Sequence, residues 1–323
     1  MLNKSYKLLI VGVGSIGSRH FQSISNMNLK KEIHILDKYE VIKKFRNKNN
    51  LDKSNKIYLH NSPSSVPKNL DIIIISTNSD IRAKITQDLI KIVKTKFIIF
   101  EKFLFQKEND YKTIISKLKK KKIKAWINCQ RRMIPFYSIL KKDLNKKVIK
   151  MTIIGNSWGF SSNSIHFLDL FYFLRSKEVR LKNIENNLEK KIFKSKRKGF
   201  IEFYGNLSIN FLDKSNITFF NKKKSSKYLK IIIQSNKKKY EIIEKNKVIK
   251  LKVEKNKKKY FSIFKNYYTS QISSKIVSQI LKYKKSFLPT LQVSSGYHLI
   301  LLKIFLLHLK KMKNSRSERC QIT

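Results

Sequence analysis

Three of the chain's eight glycines fall within six residues, Gly12-Val13-Gly14-Ser15-Ile16-Gly17. A hexad of this spacing, after an apolar run and before a helical one, is the signature of a dinucleotide-binding turn. Gly12 permits the tight turn, Gly14 lets the backbone approach a pyrophosphate, and Gly17 lets helix and strand pack closely. Ser15 and Ile16 then open a helix whose unpaired N–H groups face the phosphates. A glycine-rich turn without a ligand is the plainer alternative. Asp37 stands 20 residues beyond Gly17, where a carboxylate accepts hydrogen bonds from both adenosine ribose hydroxyls and repels a 2′-phosphate. That favours NAD, with Lys38 beside it keeping NADP open. Thr77 and Asn78 follow an apolar run and are placed to line the nicotinamide ribose. Glu101-Lys102 closes the next apolar run, and a lysine there can hold a substrate hydroxyl and stabilise a developing alkoxide. In a chain this rich in lysine, position rather than residue type carries that reading.

These residues need a scaffold that brings strand ends together. Residues 6–13, 32–36, 57–60, 71–77, 97–101 and 123–128 read as strands, alternating with helices at 16–27, 39–48, 81–93 and 111–121. The Ile72-Ile73-Ile74-Ile75 run is too apolar for a half-exposed strand and suits a parallel strand covered on both faces. Strands alternating with helices predict a doubly wound parallel sheet over residues 1–128. Residues 129–323 differ. Helices are expected at 135–144, 165–174, 267–284 and 291–311. Strands are expected at 148–155, 199–204, 207–212, 217–221, 228–235, 240–244 and 248–253, giving an α+β domain on a largely antiparallel sheet.

Composition excludes several classes. The 323 residues suggest about two domains, and 41 % apolar content is enough for substantial cores. The net charge of +51 would ordinarily raise nucleic acid as partner. Lysines are instead scattered along the whole chain with abundant Asn and Ile, as A/T-rich codons produce. Runs such as 119–122 and 257–259 read as solvated faces and turn tips. Without an aromatic-interleaved basic motif, neither nucleic acid nor membrane is expected as a partner. The apolar stretch at 299–309 is interrupted by Lys303 and reads as too short to span a bilayer. With no secretory signal pattern at the start, a cytoplasmic protein is expected. Two cysteines, Cys129 and Cys320, make neither a disulfide scaffold nor a four-thiolate zinc site, and no metal is expected.

The glycine hexad with His20 just beyond it, Thr77-Asn78-Ser79, Glu101-Lys102, Gln130-Arg131-Arg132 with Pro135, and His166 with Asp169 occur in that order. Together they resemble the glucose-fructose oxidoreductase / inositol dehydrogenase (Gfo/Idh/MocA) family over nearly the whole chain. The resemblance implies an N-terminal Rossmann domain, a C-terminal α/β domain, and NAD(P)-dependent oxidation or reduction of a secondary carbinol of a sugar, cyclitol or sugar derivative. It implies that Lys102 is the active-site lysine and that His166 exchanges the hydroxyl proton, a task suited to imidazole near neutral pH. In isolation His166 would read as a core histidine of an apolar helix. Asp169, three residues on, is expected to orient the ring. Gln130 and Arg132 are expected to reach toward the substrate, and Ser162 stands where the family usually places Asp. Phe103 replaces the proline of the family's Glu-Lys-Pro. By the same resemblance a homodimer or homotetramer is expected. The competing reading is a dinucleotide-binding sensor or partner protein without net turnover.

Overall fold

A strand whose consecutive side chains are all buried must be covered on both faces. In the computed structural model, Ile72–Ile75 is such a strand, each side chain at most 1 % exposed. The structure describes residues 5–49, 51, 56–176, 179–226, 228–313 and 318–323. The chain divides into two compact units, the first comprising residues up to Cys129, Tyr268–Gly296 and Thr323, the second Gln130–Tyr267 and Tyr297–Ile322.

The first unit alternates β1 (Tyr6–Val11), α1 (Ser15–Ser25), β2 (Lys31–Leu36), α2 (Tyr39–Asn49), β3 (Ile57–His60), β4 (Ile72–Ile75), α3 (Ser79–Ile92), β5 (Phe97–Phe100), α4 (Glu108–Lys120) and β6 (Lys124–Ile127). Its strands are parallel in the order β3-β2-β1-β4-β5-β6. The order reverses between β1 and β4, so the carboxyl ends of those neighbours open the crevice where such sheets bind ligands. The parallel doubly wound sheet expected from the sequence is present.

The second unit begins with a 3₁₀ turn at Gln130–Met133, then α5 (Pro135–Leu144), β7 (Lys150–Asn156) and α6 (Phe160–Arg175). There follow β8 (Leu181–Leu188), β9 (Phe193–Lys194), β10 (Ile201–Glu202), β11 (Gly205–Phe211), β12 (Asn216–Lys222), β13 (Tyr228–Ser235), β14 (Lys238–Lys245), β15 (Val248–Lys255) and β16 (Lys258–Lys265), and then α7 (Thr269–Tyr283) and α8 (Leu291–Lys313). Eight strands form one mixed, mostly antiparallel sheet in the order β16-β15-β14-β13-β7-β12-β11-β8. Along β7, β12 and β13 alternate side chains are buried, Met151, Ile153, Ile217, Phe219, Ile231 and Ile233 among them, while Ile154, Phe220 and Ile232 on the other face are half-buried. In a chain with few glycines, Asn236, Asn246 and Asn256 turn the hairpins β13–β16, each at a φ of +50° to +53°, a region asparagine enters more readily than most residues.

Several elements differ from expectation. The flanking strands β8 and β16 were not anticipated: each has a neighbour on one side only and is exposed almost throughout, so neither carries the apolar alternation that betrays a strand. Helix α6 starts at Phe160 rather than 165, because Ser161 and Ser164 are buried within it and Glu202 Oε1 accepts the Ser161 N–H at 2.7 Å. Helix α8 covers the expected 291–311, but its apolar stretch is not limited to 299–309: Leu291–Met312 is long and apolar enough to cross a membrane, with half of its apolar window buried in the fold. Phe305 stacks on Phe203 at 5.0 Å and meets the edge of Phe160 at 5.6 Å, which makes α8 a core helix. Helix α7, although late in the chain, groups with the first unit, where it packs on α1.

Asp143 on α5 ties that helix to β14. It accepts from Lys238 Nζ at 2.8 and 3.0 Å, from the Tyr240 hydroxyl, and from Lys147 Nζ at 3.2 Å. Burial works against its charge, but these hydrogen bonds and the Lys238 charge outweigh it and hold the carboxyl down at about 2. A carboxylate lowered on folding stabilises above its ordinary pKa of 3.8, and that contribution is lost as pH falls toward 2. Asp143→Asn is therefore expected to be less stable than wild type at pH 6, with the difference shrinking between pH 4 and 2. Urea midpoints across that range check it.

Candidate functional site

The glycine turn is built by close packing on one side and open space on the other. Gly12 has φ +87°, and a Cβ there would meet the Thr77 backbone N at 2.9 Å; a Cβ on Gly17 would lie 1.8 Å from the Gly12 carbonyl oxygen. These two positions have room for no side chain. A Cβ on Gly14 would meet nothing within 4 Å. Gly14 is also the N-cap of α1, with no side-chain cap and no acidic residue in the first turn. Gly14 and Ser15 are exposed and Ile16 half-buried, so the helix N-terminus presents unpaired N–H groups and partial positive charge.

Asp37 follows β2 and turns toward the same loop. Its Oδ2 accepts the Val13 N–H at 2.7 Å and its Oδ1 the Lys38 N–H at 2.8 Å. Each oxygen keeps a further acceptor position for a hydroxyl donor. Lys38 itself is exposed.

Across the switch point, Ser76 Oγ donates to the Gly12 carbonyl at 2.6 Å, and Thr77 follows with its Oγ1 buried and without a hydrogen-bond partner. Asn78 is exposed at the N-cap of α3. Sequence reasoning passed over Arg82 here. Its side chain, 1 % exposed, donates to the carbonyls of Thr77 and Phe103, and to that of Leu104 at 2.9 Å. The guanidinium thus binds the loop after β4 to the loop after β5. The only available signal was an arginine in the first turn of a helix flanking the crevice.

Glu101, expected at the cofactor, is 5 % exposed and engaged by protein donors. Its Oε1 faces His20 Nε2 at 2.9 Å and accepts from Asn128 Nδ2 at 2.5 Å, while His20 Nδ1 meets Ser273 Oγ of α7 at 2.8 Å. Burial alone would push this carboxyl up; the His20 and Asn128 hydrogen bonds and the charges of His20 and Lys102 outweigh it and hold it below its ordinary range. Lys102 is half-buried, and the peptide bond to Phe103 is cis.

In the second unit, Gln130, Arg132, Ser162, His166 and Asp169 gather on α6 and the 3₁₀ turn packed against it. His166 is half-buried, four residues after Ser162 on one helical face; Ser162 Oγ bonds the Gly159 carbonyl at 3.3 Å. Asp169 is fully buried, and its oxygens accept from Arg132 Nε at 2.7 Å and Nη2 at 2.6 Å. Burial raises the Asp169 carboxyl despite that pairing. Arg132, expected to reach for substrate, thus forks onto Asp169, the residue expected to steer His166. Gln130 is half-buried with Oε1 lacking a partner. Both cysteines are buried and neither is in a disulfide.

The first unit fits a dinucleotide on its own geometry: open space at Gly14, a bare helix N-terminus, a carboxylate with spare acceptor positions and an unpartnered hydroxyl at Thr77. No protein-family model matches the chain, and no curated protein does. Solved structures do. The super-repressor mutant of Gal80p from Saccharomyces cerevisiae superposes with a TM-score of 0.74 at 15 % identity, over 95 % of this chain and 97 % of that one. A dehydrogenase, MviM, from Clostridium difficile gives 0.69 at 16 % identity, over 93 % and 99 %. UDP-N-acetylglucosamine 3-dehydrogenase GnnA from Acidithiobacillus ferrooxidans gives 0.70 at 10 % identity, over 93 % and 97 %. Such identities speak for architecture alone, and the architecture agrees over nearly the whole chain: it shares the fold of these solved structures.

Proposed function

We propose that the protein is a cytoplasmic NAD(P)-dependent oxidoreductase acting on a secondary carbinol of a sugar, nucleotide sugar or related polyol, in surface-polysaccharide or other glycan biosynthesis. The observation that carries this is the turn at Gly14, whose backbone faces open space at the N-terminus of α1 beside the β1/β4 switch point. Gly12, Gly14, Ser15, Ile16 and Gly17 would hold the pyrophosphate, Asp37 the adenosine ribose, and Thr77 and Asn78 the second ribose. When bound, the cofactor supplies a nicotinamide C4 that exchanges hydride with the substrate carbon.

The chain's own groups do the rest. The Lys102 ammonium holds the reacting oxygen and favours its negative charge. The Lys102 charge helps keep the Glu101 carboxyl below its ordinary range. His166 takes the hydroxyl proton in oxidation and returns it in reduction. Ser162, Gln130 and Arg132 would bound the substrate. Asp37 supports NAD over NADP, because a 2′-phosphate would meet its carboxylate. Half-buried Ile154, Phe220 and Ile232 on the open sheet face support a homodimer or homotetramer.

A second reading, a dinucleotide-binding sensor or partner protein, is favoured by Ser162, which cannot carry the charge of the family's Asp, and by the likeness to Gal80p, solved as a super-repressor mutant. A fluorescence titration with NADH and NADPH is expected to show saturable binding of both, tighter for NADH. No binding of either sinks the proposal. Binding without turnover across a panel of sugars and nucleotide sugars selects the second reading.

A further inference from the structure

A carboxylate occupies a place where the sheet calls for an apolar side chain. Tyr240 and Ile242 of β14 are buried on the helix-covered face, and Glu244 continues their parity. Its side chain is 13 % exposed. Glu244 Oε1 accepts from the Tyr137 hydroxyl of α5 and from Arg131 Nε at 3.2 Å, and its Oε2 from Arg131 Nη2 at 2.7 Å. Burial opposes the charge on Arg131, but Glu244 outweighs it and keeps the guanidinium charged; burial and the Glu244 charge together push the Tyr137 hydroxyl well up, so it remains a donor.

Held in this way, the Arg131 guanidinium lies 4.3 Å from the centre of the Phe167 ring on α6, within the range of a cation–π contact. The next residue, Arg132, forks onto Asp169 of the same helix. Adjacent arginines of one 3₁₀ turn therefore grip α6 at two points two residues apart, one by stacking and one by an ion pair. His166 directly precedes the first point. A helix held at 167 and 169 can neither roll about its axis nor slide along it.

We infer that Arg131 is a positioning residue for His166: anchored by Glu244, it fixes the roll of α6 through Phe167 and with it the direction of the imidazole. The functional weight of this assignment rests on the proposed proton-transfer role of His166; the geometric part does not. Lysine cannot substitute, because it lacks both the fork that binds Glu244 and the planar face that lies on Phe167.

The test compares Arg131→Lys and Glu244→Gln with Arg175→Lys, which perturbs the far end of α6 where Arg175 pairs with Asp213. The ring resonances of His166, assigned by their loss in His166→Gln, are recorded without cofactor, and kcat and KM are measured alongside. Arg131→Lys and Glu244→Gln are expected to move the His166 ring shifts and to lower kcat on the order of tenfold to a hundredfold, with KM for the cofactor unchanged. Arg175→Lys is expected to lower the melting temperature without moving those shifts. If Arg131→Lys melts lower yet leaves the His166 ring and kcat as in wild type, the assignment is overturned. Should that variant fail to fold, Phe167→Leu removes the stacked face alone and carries the same two outcomes. If the wild-type protein neither binds nor turns over a pyridine nucleotide, the proposed function falls, while the ring shifts still decide the grip.

Discussion

Gly17→Ala is expected to abolish dinucleotide binding and to unfold at a markedly lower temperature, whereas Gly14→Ala is expected to lose affinity with only a small loss of stability. At position 17 the new methyl would stand 1.8 Å from the Gly12 carbonyl oxygen and 2.9 Å from Ser76 Oγ. The first neighbour is backbone in a turn already at φ +87° and cannot rotate away. Helix α1 must lift from β1, at a cost of about 3 kcal/mol, the upper end of ordinary overpacking. At position 14 the methyl meets no atom of the protein within 4 Å, and φ there is −66°. The stability cost is the modest preference for glycine over alanine at a helix N-cap, about 1 kcal/mol or less. The methyl nevertheless enters the open space proposed for the pyrophosphate. Thermal melts paired with NADH fluorescence titrations separate the two effects. Equal affinity for Gly14→Ala and wild type would remove the pyrophosphate from this turn.

Lys102→Met and His166→Ala are expected to lower kcat by about 10² to 10⁴, the range of a lost general acid–base or oxyanion-stabilising group. Their cofactor dissociation constants are expected to stay within a few-fold of wild type, because neither residue belongs to the glycine turn or to Asp37. Single-turnover rates with saturating cofactor check the chemical step directly. A Lys102→Met protein that no longer binds NADH would reassign that lysine to the dinucleotide. A His166→Ala protein with undiminished kcat would remove the imidazole from the proposed proton path.

What could be read from the sequence was local. The glycine hexad, the Asp37 spacing and the Ile72–Ile75 strand each declare themselves within a few residues, since turn geometry and two-sided burial act over short stretches. The elements that escaped are those with a weak local signal. Strands β8 and β16 lie at the ends of their sheet and are almost wholly exposed, and the first turn of α6 is a polar Ser-Ser-Asn-Ser run whose burial is decided by Glu202. The roles of the site's supporting residues escaped because their partners are remote: Arg82 bonds carbonyls 21 and 22 residues on, Arg131 a carboxylate 113 residues on, and His20 a serine 253 residues on. Among 72 lysines and arginines, charge alone could not single out the two arginines.

The three carbonyls gathered by Arg82 have a thermodynamic consequence. Loops that border a crevice ordinarily surrender conformational entropy when a ligand orders them, and that loss is subtracted from affinity. Here the backbone at Thr77, Phe103 and Leu104 is tied to one buried guanidinium of the chain itself. Much of the ordering of these loops is therefore complete before any guest arrives, and more of the contact energy made there remains available as net affinity.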